Sequence, residues 1–526
     1  MLTVKNPIMP GFYPDPSICA VGGDYYLVNS SFAYFPGLPV MHSRDLLHWE
    51  QIGNVLDRQS QLPLENAGLS QGLFAPTIRY HKGLFYVICT NVTRGGNFVV
   101  TAENPEGPWS EPHFLKDAGG IDPSLFFDED GKCYYIGTHP NPDGCRYDGD
   151  WFIWIQELDL NTWELIGEPK DVWNGAMRGV HWPEGPHLYK IGDYYYILHA
   201  EGGTGPEHAV TVCRSKHLWG PYENNFCNPI LTHRHLGQDY PVKYVGHADL
   251  FKTPAGEWFM TMLAVRPLEG FTTMGRETFL AKVTWEKGWP VVNAGIGKLT
   301  DTVEVDLKEW IPEEDPTSYT VRTGRKNCVP GSGRIYDFTG MKELGDEFLL
   351  LRNPRDGMVN LRPGEGLFLR AEKISLNEKK AASYLSVRQQ HHCFTATTTI
   401  CVDSLPKKCS AGIAVMQNES FQLRGQLCGD EVNALLVRDG AQESVGRIRI
   451  TCDEVTLILR VNGLSASFCV KCGEVETPVA EGIDIRSLST EIAGGFVGCT
   501  VGIYAMDQSN LEIEKRVCFK SFSYEV

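Results

Sequence analysis

Three acidic residues, Asp15, Asp122 and Glu184, stand at the heads of three similar stretches: YPDPSICAVGGDYYLV, GIDPSLFFDEDGKCYYIG and WPEGPHLYKIGDYYYIL. Carboxyl groups that share a cavity raise one another's pKa, so keeping them together is costly. Such a set suits cleavage of a glycosidic bond: one carboxylic acid protonates the leaving oxygen, and a second carboxylate activates water or attacks directly. The acid needs a raised pKa and the base an ordinary one, so their surroundings must differ. Glu184 lies between Trp182 and Pro186, whose apolar surfaces would desolvate it. Asp15 lies between Pro14 and Pro16, which fix the backbone and aim the carboxylate. Asp122 precedes Pro123 in a similar way. Any one of these acids alone reads as a strand-entry signal; their recurrence is what points to chemistry.

The same pattern occurs in two further stretches, FAPTIRYHKGLFYVI and GHADLFKTPAGEWFMTM, giving five copies. The matched positions are Asp15, Ala75, Asp122, Glu184 and Ala248, which are 47 to 64 residues apart. A strand–turn–strand unit repeated at this period predicts a β-propeller, one copy per blade, with equivalent positions converging on the central axis. Residues 1–310 are therefore expected to form a five-bladed β-propeller. Residues 311–333, IPEEDPTSYTVRTGRKNCVPGSG, read as a polar linker rich in Pro and Gly. From Arg334 to Val526 short alternating strands return without the repeat, which predicts a C-terminal β-sandwich. The expected fold class is all-β.

The net charge of −17 argues against partners that need a basic face, nucleic acid and anionic membranes among them. The 12 Trp and 21 Tyr suit both sheet cores and flat surfaces for stacking on sugars. No apolar run reaches the length of about 18 residues needed to span a bilayer, and the N-terminus lacks the pattern of a secretory signal. A cytoplasmic protein is expected, with its 16 cysteines as reduced thiols. Cys469 and Cys472 form a lone CxxC, read as structural because no second pair at zinc spacing accompanies it.

YPDPS, GGIDPSLFFDEDGK, EGPHLYK, and GHADLF followed by GRET resemble glycoside hydrolase family 43, in its long form with a C-terminal concanavalin-like jelly roll. The resemblance covers the whole chain and implies β-xylosidase or α-L-arabinofuranosidase activity with inversion at the anomeric carbon. It implies Asp15 as general base, Glu184 as general acid and Asp122 as the residue that tunes and orients the acid. Arg276, in MGRETF, matches a substrate-contacting arginine, and His247, in GHADLF, a histidine at the bottom of the funnel. In some relatives that histidine belongs to a calcium site; its other reading is a hydrogen-bonded structural residue. No cofactor is otherwise required. Phe32 and Phe74 would form the aromatic wall of the sugar pocket, where many relatives carry Trp in place of Phe74. Phe496, in GGFVG, is either a residue reaching the site from the sandwich or part of the sandwich core.

A pocket closed by a second domain accepts a chain end. The expected reaction is release of D-xylose from the non-reducing ends of β-1,4-xylo-oligosaccharides. Release of α-L-arabinofuranose is the alternative, and a bifunctional enzyme is compatible with both. A non-catalytic carbohydrate-binding protein is the remaining class, disfavoured by the complete acid set. The expected partners are a small oligosaccharide and further copies of the chain in a homo-oligomer.

Overall fold

Alternating apolar runs separated by tight turns make this chain almost wholly β-structure. The computed structural model describes residues 1–179, 181–307 and 329–526. The expected linker, 311–333, lies outside the described residues as far as residue 328. The turns follow local chemistry: Lys82 and Gly83, both with positive φ, join His81 to Leu84 in a two-residue hairpin. Such loops match the twist of the strands they connect.

Five four-stranded antiparallel sheets follow one another along residues 17–292. Their inner strands are Ser17–Val21, Thr77–His81, Ile121–Phe127, Glu184–Ile191 and Lys243–Lys252. Each inner strand packs beside the next, and the last packs against the first. The apolar cores follow the same ring. Val40 and Val87 share a core between the first and second sheets, Ile88 and Tyr135 the next, and Ile136 and Ile197 the third. Leu198 and Met260 share the fourth, and Leu280 and Leu27 close the circle. This is a propeller of five such sheets. The ends are clasped by Leu2–Lys5, which pairs antiparallel with Thr302–Val305.

A polar hub ties the blades at the axis. The buried Asp249 carboxylate accepts from Ser17 Oγ at 2.6 Å, Tyr189 Oη at 2.6 Å and Arg79 Nη1 at 2.8 Å. Arg79 Nη2 also lies 2.9 Å from His187 Nδ1. Four of the five blades therefore meet at one carboxylate.

The C-terminal portion is a sandwich of an eight-stranded and a six-stranded sheet. Strand Cys393–Cys401, CFTATTTIC, alternates between buried and partly exposed residues, as a strand with one face on a core must. Phe468 and Phe519 from one sheet and Ile413 and Leu436 from the other fill the space between. The expectation that all cysteines are free thiols is corrected here: Cys452 and Cys472 form a disulfide. Cys472 ends its strand beside Cys452, which precedes the neighbouring strand, with Cα atoms 5.8 Å apart. Cys469 points the other way, because residues three apart on a strand face opposite sides. Its sulfur instead accepts from Arg460 Nη1 at 3.4 Å.

Asp249→Ala is expected to lower the unfolding free energy by about 3–5 kcal/mol, because it strands the Arg79 cation at the axis. Urea denaturation of the variant and the parent measures the difference.

Candidate active site

Residues on or just before three of the inner strands reach the axis through an unusual backbone. Asp15, Asp122 and His247 have φ values of 50°, 53° and 50°. Non-glycine residues in this region carry strain of about 1–3 kcal/mol each, which persists where the surrounding structure over-determines it. The strand ladders show which positions are equivalent. Ile121 pairs with Thr138, Glu184 with Ala200 and Gly246 with Leu263, each followed by a register shift of the same kind. His247 and Gly185 are therefore the counterparts of Asp122. This corrects the expected alignment, in which Glu184 and Ala248 were the matched positions. Glu184 enters the cavity one residue earlier than the two aspartates do. Gly185, with φ of 57°, takes the left-handed position, and a Cβ there would lie 2.8 Å from the His247 ring.

All eight residues singled out in the sequence line one cavity of about 280 Å³: Asp15, Phe32, Phe74, Asp122, Glu184, His247, Arg276 and Phe496. Sequence reasoning missed Trp151, Thr204 and His208 on the same wall, and it assigned Trp182 only a desolvating part. Trp182 is held by its backbone N–H, which donates to Gly149 O at 2.8 Å, and Gly203 leaves room for its indole.

The three carboxyl groups have different environments. Arg276 forks onto Asp15, with Nη1 2.5 Å from Oδ1 and Nη2 3.3 Å from Oδ2. The Ser30 hydroxyl donates to Oδ2 as well. Burial pushes the Asp15 pKa up, but Arg276, His247 and Ser30 outweigh it and hold the carboxyl below the usual range. Burial raises Asp122 to about 6; His247 opposes that rise and the Asp15 charge adds to it. Glu184 is raised well above the carboxylate range, first by desolvation and then by the charges of Asp122 and Asp15. The site thus offers an ionised base and a protonated acid at the same pH.

The sandwich completes the cavity. Phe496 is 39% exposed, which excludes it from the sandwich core. Its ring stacks on Phe32 at 6.2 Å and meets Phe74 edge-on at 5.9 Å. The Arg276 guanidinium lies 5.7 Å from the rings of both Phe32 and Phe496, and Arg276 Nη2 donates to Phe496 O at 3.3 Å. Ser70 Oγ accepts from the Phe496 N–H at 2.8 Å, and Thr273 O accepts from the Cys499 N–H at 2.8 Å. Gly275 and Gly498 face each other where neither has room for a side chain. A shared apolar cluster, including Phe12 and Tyr34 with Leu351 and Tyr504, extends this seam.

A calcium ion beside His247 would take six to eight oxygen ligands. Among the described residues no three His, Cys, Asp or Glu side chains gather to hold a metal, and Asp15 beside His247 is already engaged by Arg276 and Ser30. These side chains do not fit a protein-built calcium shell.

Residues 4–290 match the family described as glycosyl hydrolases family 43, and residues 336–525 match the β-xylosidase C-terminal concanavalin A-like domain. The chain belongs to glycosyl hydrolase family 43. It is a glycoside hydrolase. It is 47% identical over 536 residues to a xylosidase/arabinosidase of Butyrivibrio fibrisolvens, covering 99% of each chain. A non-reducing end α-L-arabinofuranosidase of Bacteroides ovatus is 37% identical over 96% of this chain and 91% of its own. The solved structure of a xylan β-1,4-xylosidase from Bacillus halodurans superposes with a TM-score of 0.87 at 32% identity, covering 99% of this chain and 100% of that one.

Arg276→Met removes the cation that holds Asp15 ionised, so the Asp15 carboxyl keeps its proton to higher pH. The acidic limb of the kcat/KM profile should move up in pH, together with a fall in maximal rate. A pH–rate series on the variant and the parent measures the shift.

Proposed function

We propose that the protein is an exo-acting, inverting glycoside hydrolase that releases D-xylose from the non-reducing ends of short β-1,4-xylo-oligosaccharides. The observation that carries this reading is a small cavity, walled on one side by Phe496 of the sandwich, that holds three carboxyl groups of unlike proton affinity. A cavity of this shape takes a terminal sugar. Asp15, ionised and fixed by Arg276 and Ser30, takes a proton from the attacking water. Glu184, protonated through desolvation and its neighbours' charge, gives its proton to the leaving oxygen. Asp122 holds up the proton affinity of Glu184 and orients it. His247 and the rings of Phe32, Phe74 and Phe496 enclose the sugar. A water placed between base and acid attacks from the face opposite the leaving group, and inversion follows; enzymes of this kind separate the two carboxyls by about 6.5–9.5 Å.

Release of α-L-arabinofuranose is a second activity of the same cavity in this reading, supported by the naming of the relatives from Bacteroides ovatus and Butyrivibrio fibrisolvens. The two sugars present similar hydroxyl positions to one pocket. A preference for short substrates agrees with action in the cytoplasm after uptake. The Cys452–Cys472 disulfide weighs against a reducing compartment. Self-association into a homo-oligomer is part of the proposal, and light scattering after size exclusion tests it.

The reading is tested with the 4-nitrophenyl glycosides of β-D-xylopyranose and α-L-arabinofuranose. Xyloside turnover should dominate and fall by about 10²–10⁴-fold in Asp15→Asn, the range that general base catalysis supplies. Turnover of neither glycoside, with tight binding of xylobiose, would move the protein to the binding class. Glu184→Gln should lose more activity on xylobiose than on the nitrophenyl glycoside, whose leaving group needs little protonation. Equal losses on both substrates would remove Glu184 from the acid role.

A further inference from the structure

Two buried polar atoms of residues that line the cavity take no part in the chemistry above and have no partner. They are His208 Nε2 and Thr204 Oγ1, both buried and without a hydrogen bond. They belong to one loop, between strands Tyr194–Glu201 and Ala209–Ser215 of the fourth blade. A buried polar group left unpaired is costly, so a site that keeps two of them has a use for them.

The imidazole is fixed in place and in tautomer. His208 Nδ1 lies 2.9 Å from Tyr244 O, and a carbonyl only accepts, so the ring proton resides on Nδ1. Nε2 is then an acceptor with no proton of its own. Burial, with the Arg276 cation nearby, keeps the ring neutral, and its pKa falls to about 3 against the opposing bond to Tyr244 O. Thr232 Oγ1 donates to the His208 carbonyl at 2.8 Å and holds the backbone.

The propeller has made room for this ring. Gly246 is the fifth-blade counterpart of Ile121 and Glu184, both of which line the cavity. A Cβ on Gly246 would lie 2.2 Å from His208 Nε2. The fifth blade therefore withholds its own side chain, and the fourth blade's histidine fills that part of the wall.

We propose that His208 Nε2 accepts a hydrogen bond from one ring hydroxyl of the glycosyl group held in the cavity, with Thr204 Oγ1 beside it, and so selects sugars that carry that hydroxyl. The inference rests on the glycosidase reading and adds a specificity-determining residue to it. An acceptor without a proton requires a donor, which distinguishes an O–H from a fluorine or hydrogen at the same carbon. Sites built to bond a hydroxyl reject analogues that lack it far more strongly than apolar pockets discriminate by size.

The test compares kcat/KM for the parent 4-nitrophenyl glycoside and its three monodeoxyfluoro derivatives, in the wild type, His208→Leu and His208→Gln. Fluorine slows the chemistry by itself, but that effect cancels when the proteins are compared on the same pair of substrates. The wild type should discriminate against one derivative by about 10- to 100-fold more than His208→Leu does, the scale of one buried hydrogen bond lost. His208→Gln, which keeps an acceptor oxygen near the same place, should recover part of the difference. Identical discrimination at all three positions in every protein would overturn the proposal and leave His208 a packing residue. If His208→Leu does not fold, the Gln variant against the wild type makes the same comparison. Wild-type turnover of the parent glycoside reads separately on the glycosidase reading. Without it, the comparison is made by calorimetry with the free fluorinated sugars.

Discussion

The guanidinium of Arg276 grips the Asp15 carboxylate in a cavity that also encloses Asp122 and Glu184. Three buried acids cannot all ionise cheaply, because each charge raises the proton affinity of the others. The Arg276 cation beside Asp15 breaks the symmetry. Asp15 ionises first, and desolvation, with the charges of Asp122 and Asp15, keeps the proton on Glu184. Asp122 sits between the two, pushed up to about 6 by burial and by Asp15 and pulled down by His247. These groups titrate as a coupled set, and the pattern belongs to the set rather than to any one acid.

The fold serves this arrangement at two levels. At the axis, left-handed backbone at Asp15, Asp122 and His247, on or just before three inner strands, turns side chains inward. Two residues on from His247, Asp249 draws Ser17, Arg79 and Tyr189 together and ties their strands to its own. Above them, the sandwich delivers Phe496 through backbone contacts to Ser70 and Thr273 and through the facing glycines Gly275 and Gly498. The Phe496 carbonyl also accepts from Arg276. The residue that sets the ionisation of Asp15 is thus in contact with the second domain, and domain docking and site electrostatics are physically linked.

Much of this was legible in the chain. The repeat gave the inner strands, and the acids at their heads gave the cavity, because a propeller converts sequence period into spatial convergence. Phe496 was legible only as two alternatives, since GGFVG suits a loop or a strand end equally well. Other features left little trace. The one-residue offset of Glu184 shows only in the ladder registers; in sequence, PEGP aligns with PDP by its prolines as readily as by its acids. Thr204 and His208 come from a loop outside the repeat, where no period marks an inward-facing residue. Trp151 begins the third strand of its blade and looks like any aromatic strand residue. The disulfide was missed because Cys452 and Cys472 lie 20 residues apart, joined by strand pairing that spacing alone does not reveal.

The central claim is that one cavity keeps Asp15 ionised and Glu184 protonated over the same range of pH. The most direct measurement is the titration of the two side-chain carboxyls by ¹³C NMR on selectively labelled protein, with Asp15→Asn and Glu184→Gln providing the assignments. Asp15 should titrate below the ordinary carboxylate range and Glu184 well above it, and Glu184 should fall when Asp15 is neutralised. Two carboxyls titrating together in the ordinary range, each indifferent to loss of the other, would contradict the account.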